Sequence, residues 1–143
     1  MMEYDFFETE IQSRYPDSMF TVRNMCDPGD TPAFRPHPAR PHPWAFPGAE
    51  QLFSELRNNS DSHGHFESPD EWLTRLKTDV IIAFFGYTES FEGPSDLPRY
   101  KQEVEAFINH TLKQKYNGQS PPQLVMVSPI AFEDLSKALD VPD

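Results

Sequence analysis

The chain has 143 residues, with 12 Lys and Arg against 23 Asp and Glu, for a formal net charge of −11. That length makes one domain with a core of ordinary size, and the acidity argues against nucleic acid, because phosphate binding needs Lys and Arg gathered on one face. No stretch approaches the ~20 apolar residues of a membrane span, and no basic-then-apolar signal peptide opens the chain. The expectation is therefore a cytosolic protein or one whose targeting segment lies outside this sequence. Cys26 is the single cysteine, so no intrachain disulfide can form.

From Glu3 to Tyr15 the apolar residues Phe7, Ile11 and Tyr15 recur every four positions, which predicts a helix that Pro16 terminates. "MFTVR" (Met19–Arg23) reads as a short strand. Between Met25 and Gly48 the chain holds seven of its 15 prolines, excluding helix and central strand alike. A loop of that length inside a compact domain is functional or disordered as a rule. The rings of Phe34, Trp44 and Phe46 favour packing against the body, since disordered segments are poor in aromatics.

Ala49–Arg57 is predicted helical, with Leu52, Phe53 and Leu56 on one face, and "NNSDSHGH" (58–65) is a polar loop. Ser68-Pro69-Asp70-Glu71 is a helix start: Ser caps, Pro takes the first helical position and Glu completes a capping box. That helix carries Trp72, Leu73 and Leu76. "VIIAFF" (Val80–Phe85) then reads as a strand ending in Gly86-Tyr87-Thr88-Glu89, and "EGPSDLP" (92–98) as a turn. The longest predicted helix runs from Tyr100 to Tyr116, with Val104, Phe107, Ile108 and Thr111 on its buried side, and "QLVMVS" (Gln123–Ser128) is a second apolar strand. Strand, helix, strand, with both strands apolar on both faces, is the pattern of a parallel sheet covered by helices. The expected fold is a three-layer α/β sandwich whose ligands sit beyond the carboxyl ends of the strands.

Two strand ends are therefore candidate sites: "RNMCDPGDT" (23–31) and "FGYTES" (85–90). A glycine there lets backbone N–H groups face a ligand oxygen without a side chain in the way, and with a second donor it forms an oxyanion hole. The plainer reading is that Gly29 and Gly86 make turns. Asp30-Thr31 as a nucleophile lacks an adjacent base. His37, His42, His63 and His65 lie on loops without a carboxylate or cysteine at metal-ligand spacing, and His110 reads as a helix-surface or boundary residue. Glu89 with Glu92 on one tight loop is a poor glycosidase pair, and Trp44, Phe46 and Trp72 read as anchors before they read as a sugar site.

The stretches "RNMCDPGDTPAFRPH", "PWAFPGAE", "GHFESPDEWLTRLKTDVIIAFFGYTESFEG", "FINHTLKQKYNG" and "VSPIAFEDL" together resemble the SGNH (GDSL-type) ester hydrolase superfamily, and more closely the SGNH hydrolase-type domains of planctomycete-like bacterial proteins. The resemblance implies a flavodoxin-like αβα fold and a serine esterase acting on an acyl or acetyl ester, of a carbohydrate or a small molecule, without metal or cofactor. It is compatible with an extracytoplasmic setting and with fusion to other domains. Gly29 falls on the family's second block, whose glycine N–H is an oxyanion donor. Gly86-Tyr87-Thr88 falls on the third, with Thr88 where the family has a donor asparagine, and Glu89 on an acidic position that braces the loop. No Gly-Asp-Ser nucleophile and no Asp-x-x-His occur in the sequence. In the family's strand order the first strand lies between Met19–Arg23 and Val80–Phe85. The expectation is a partial domain spanning 1–143, missing its first strand and its C-terminal strand and helix, silent as a catalyst and poor at folding alone. The alternative is a non-catalytic SGNH-like module that binds a ligand or supports a neighbouring domain.

Overall fold

The computed structural model describes residues 6–27, 29–35, 43–52 and 67–129. Helix α1 (Phe6–Arg14) ends two residues before Pro16, as its spacing predicts. It buries none of its residues; Phe7 and Ile11 are half-buried and Tyr15, just beyond it, is exposed. The predicted strand Met19–Arg23 does not form as a strand. No ladder partner lies beside it among the described residues, and a strand exists only through its neighbours' hydrogen bonds.

The proline-rich loop is tied down at both ends. Phe34 and Trp44 form an antiparallel bridge, supported by Arg35 N–H donating to the Pro43 carbonyl at 2.6 Å and Ala45 N–H to that of Ala33 at 2.9 Å. Their rings meet edge to face with centroids 5.6 Å apart, and Phe46 joins the core. Ala33, Ala45 and Ala49 are buried there, where small side chains let loop backbone approach the helices closely. Of the helix predicted over Ala49–Arg57, the described part is a single 3₁₀ turn, Ala49–Gln51; residues 53–57 and the loop 58–65 lie outside the described residues.

Helix α2 (Pro69–Arg75) begins where the capping signature puts it. Ser68 Oγ accepts the Glu71 N–H at 3.3 Å, and the Glu71 carboxylate accepts the Ser68 N–H at 2.7 Å. Strand β1 (Val80–Phe84) follows. Tyr87–Ser90 forms a short helix, α3, where the sequence suggested an open loop. The 3₁₀ turn Pro94–Asp96 leads into α4 (Leu97–Thr111), which starts and stops earlier than predicted. Pro98 fits because a proline in the first turn sacrifices no helical hydrogen bond. Strand β2 (Gln123–Val127) pairs with β1 in parallel, Val80 opposite Gln123 and Phe84 opposite Val127.

The described chain is thus an α/β unit: a parallel pair of strands joined through α4. Its core gathers Phe46, Ala83, Phe85 and Phe107, with Phe85 and Phe107 edge to face at 5.1 Å. The expectation of strands buried on both faces is met only in part. Ala83 is buried, but Val80, Phe84, Val125 and Met126 remain exposed, because a two-stranded sheet offers too little surface for helices to cover both faces.

Candidate functional site

Along one side of β1 lies a cavity of about 720 Å³, bounded by β1 and the β1–α3 loop, by the irregular segment from Met19 to Asp27, and by α1, α2 and α4. Three of the four residues singled out from the sequence line it: Gly29, Gly86 and Thr88. Gly29 is exposed with φ at +88°, and a Cβ there would meet nothing within 4 Å. Its positive φ is a backbone demand and not a packing one. Thr88 is exposed, and its hydroxyl makes no hydrogen bond among the described residues.

Gly86 is held differently. Its N–H donates to the Glu89 carboxylate at 3.0 Å, so that amide is occupied and is not an available oxyanion donor. With φ at +107°, a Cβ on Gly86 would lie 2.9 Å from the Tyr100 hydroxyl and 3.1 Å from Pro129 Cγ; here glycine is required by backbone and by space together. Glu89 is buried beneath the loop, away from the cavity lining. Burial raises its carboxyl pKa, opposed by the hydrogen bonds from backbone N–H groups at Glu89 and Gly86. Glu92 is exposed, so the two acids do not share a site.

A polar part of the lining, formed by Arg35, Asp70, His110 and Tyr116, was not singled out as a site from the sequence. Tyr116 Oη donates to Asp70 Oδ1 at 2.7 Å, and His110 Nε2 lies 2.8 Å from Asp70 Oδ2. The His110 ring stacks on Phe46 at 4.8 Å between centroids. Burial pushes the Tyr116 phenol up, and the bond to Asp70 pushes it further, so it stays a donor. Arg35 stands over Phe85 and Phe107, its guanidinium carbon 5.4 and 5.9 Å from the ring centroids. Burial lowers its pKa and the Asp30 carboxylate works against that. A guanidinium stays protonated regardless, which leaves a fixed positive charge at the cavity beside Asp30.

His110 is more than the helix-surface or boundary residue its helical position implied. It lies three positions from Phe107 on α4 and shares its face, and the fold brings α2 to meet it across 40 residues of sequence. No local signal marks that pairing. Asp70 reads from sequence only as part of a helix start, and Arg35 only as one residue in a proline-rich loop. Thr31 is buried with its hydroxyl accepting the Phe34 N–H at 2.9 Å, a turn-forming role and not that of a nucleophile. His37, His42, His63 and His65 lie outside the described residues. Among the described residues, no group of three His, Cys, Asp or Glu could hold a metal ion, and no helix is long and apolar enough to cross a membrane.

No family model matches this chain, and no curated protein or solved structure is significantly similar to it.

Proposed function

We propose that the chain is part of a three-layer, flavodoxin-like ester hydrolase domain of the SGNH type, in which the cavity beside β1 receives an acyl or acetyl ester of a carbohydrate or small molecule. What supports this reading is one arrangement: Gly29 and the distant Gly86-Tyr87-Thr88 loop line a single cavity beside β1. In this reading the Gly29 N–H and the Thr88 loop face the developing oxyanion. Gly86 permits the turn and Glu89 holds it through the Gly86 amide. The serine and histidine would come from polypeptide beyond this sequence.

A second reading, a non-catalytic binding or scaffolding module of the same fold, draws on Thr88 itself. A threonine hydroxyl is shorter than an asparagine amide and must find a rotamer before it can donate. Losing one oxyanion donor costs about 10²–10³ in kcat. The test is to extend the reading frame in both directions and assay the longer protein on p-nitrophenyl acetate, with Thr88→Asn alongside. The hydrolase reading expects a serine after an apolar strand, measurable turnover, and a Thr88→Asn protein at least ten-fold faster. Asn or Gly at the serine position, or no turnover from either protein, rejects it in favour of the binding module.

A further inference from the structure

Beneath the loop that carries Thr88 lie two buried carboxyl groups. Glu89 is the one buried residue of α3. One of its oxygens accepts the Gly86 N–H at 3.0 Å, and the other has no hydrogen-bond partner among the described residues. Glu103, on α4, has no accessible surface, and neither of its carboxyl oxygens is hydrogen-bonded among the described residues. A carboxyl group shut away from water and from N–H or O–H donors is costly to ionise, and two that feel each other's charge are costlier still.

The charges around the pair do not remove that cost. Arg99 bonds Asp96 at 2.6 Å and stands 3.7 Å from Glu103, outside hydrogen-bond reach. Burial is the largest influence on the Glu103 carboxyl and raises it; Arg99 works against burial, and Glu89 and Asp96 reinforce it. Glu89 is likewise raised by burial, opposed by its backbone hydrogen bonds and by Arg99, with Asp96 adding to the rise. Tyr100 completes the surroundings, its hydroxyl against Gly86 and its phenol raised by burial and by Glu89. Helix α3 has little else to hold it down. Tyr87 and Phe91 are 66% and 74% exposed and pack edge to face on each other, 5.3 Å between centroids, while Thr88 and Ser90 are exposed.

We infer that Glu103 is a pH-sensitive latch on the Thr88 loop: uncharged, it lets α3 close over it with Glu89 alongside, and ionised, it drives the segment from Gly86 to Gly93 to open. Zero accessible surface ties the two events together, because neither water nor a counter-ion reaches the carboxylate unless a neighbour moves. Helix α3, anchored through a single buried side chain, is the neighbour that gives way. The ordinary carboxyl value is 4.5 and the closed-state value about 7. The closed loop is therefore fully favoured below 4.5, loses ground as pH rises toward 7, and loses no more above it. Gly86 and Thr88 line the cavity, so its wall is firm in acid and loosened at neutrality, whether or not the chain hydrolyses esters.

Amide hydrogen exchange of the full chain across pH 4.5–7 and above, expressed as protection over the intrinsic rate, tests this. The reporters are Ser90, Phe91 and Glu92, whose N–H groups donate to the carbonyls of Gly86, Thr88 and Glu89, against Phe107 and Thr111, buried on α4. Protection of the three loop amides should fall at least about ten-fold between pH 4.5 and 7 and then level off. Their exchange should stay insensitive to low urea, the mark of local opening. Glu103→Gln, which cannot ionise, should keep the loop protected at pH 7 and remove most of the fall; Glu89→Gln should remove a smaller part. Loop protection independent of pH would overturn the inference. So would loop amides that share the protection and urea dependence of Phe107 and Thr111, since the opening would then be global. Both results are read on the parent protein, so they decide the matter even where Glu103→Gln does not fold. A fall in folded Glu103→Gln as large as the parent's would overturn it as well.

Discussion

Replacing Gly86 with alanine probes the joint between β1 and the Thr88 loop. Two penalties add. A non-glycine residue at φ +107° occupies sparsely populated backbone space, at about 1–3 kcal/mol. The new Cβ would stand 2.9 Å from the Tyr100 hydroxyl and 3.1 Å from Pro129 Cγ, and overpacking of that kind costs about 1–3 kcal/mol. Partial relaxation of the tyrosine makes a total of about 2–4 kcal/mol reasonable, a large share of the stability of a small domain. The assay is equilibrium urea unfolding, in which the loss appears as a midpoint lowered by about 1–2 M at an ordinary slope. The companion Gly86→Ala/Tyr100→Phe removes the oxygen from the clash and should recover roughly 1 kcal/mol, leaving the backbone share in place. A Gly86→Ala protein within about 0.5 kcal/mol of the parent would refute the reasoning. Full rescue by Tyr100→Phe would also refute it, since strain in the backbone cannot be relieved by trimming a neighbour.

Glu103 is wholly buried on α4 with Arg99 Nε 3.7 Å away, and burial pushes its carboxyl pKa up to about 7. The folded state therefore holds a proton the unfolded chain has released, so its contribution to stability is present below pH 4.5 and lost as pH rises toward 7. Glu103→Gln should flatten that fall and stabilise the protein at pH 7.5, by at most about 3 kcal/mol, read from urea midpoints across pH 4.5–7.5; an unchanged pH profile would contradict it. Tyr116→Phe removes the bond to Asp70 and should cost about 1–2 kcal/mol in the same assay, since a partly exposed carboxylate can turn to water. Ser68→Ala breaks the capping box and should cost about 1 kcal/mol, visible as faster amide exchange in the first turn of α2.

Local structure was legible wherever a local cause produced it. Pro16 stops α1, the Ser68 capping box starts α2, and the unbroken apolar runs at 80 and 123 become strands that find each other in parallel, because each of these depends on residues within a few positions. Met19–Arg23 fails as a strand for the complementary reason: β propensity is permission, and only a hydrogen-bonded neighbour makes a strand. Of the site, the glycines could be read directly, since a positive φ, at the end of β1 for Gly86 and in a turn for Gly29, has few other occupants. The polar wall could not. Asp70, His110 and Tyr116 meet only when α2 and α4 pack together, and Arg35 reaches Phe85 and Phe107 only because the proline-rich loop is folded back through Phe34 and Trp44.

The sequence by itself therefore determined helices α1 and α2, the two strands, the turns at Gly29 and Gly86, and the acidic character. Tertiary structure alone decided that Gly29, Gly86 and Thr88 line one cavity, that Glu89 occupies the Gly86 amide, and that Asp70, His110 and Tyr116 meet in its lining. The division has a physical basis. Dihedral preferences, caps and periodicity act over one or two turns of chain, whereas a cavity and its hydrogen-bond demand arise from surfaces brought together over tens of residues.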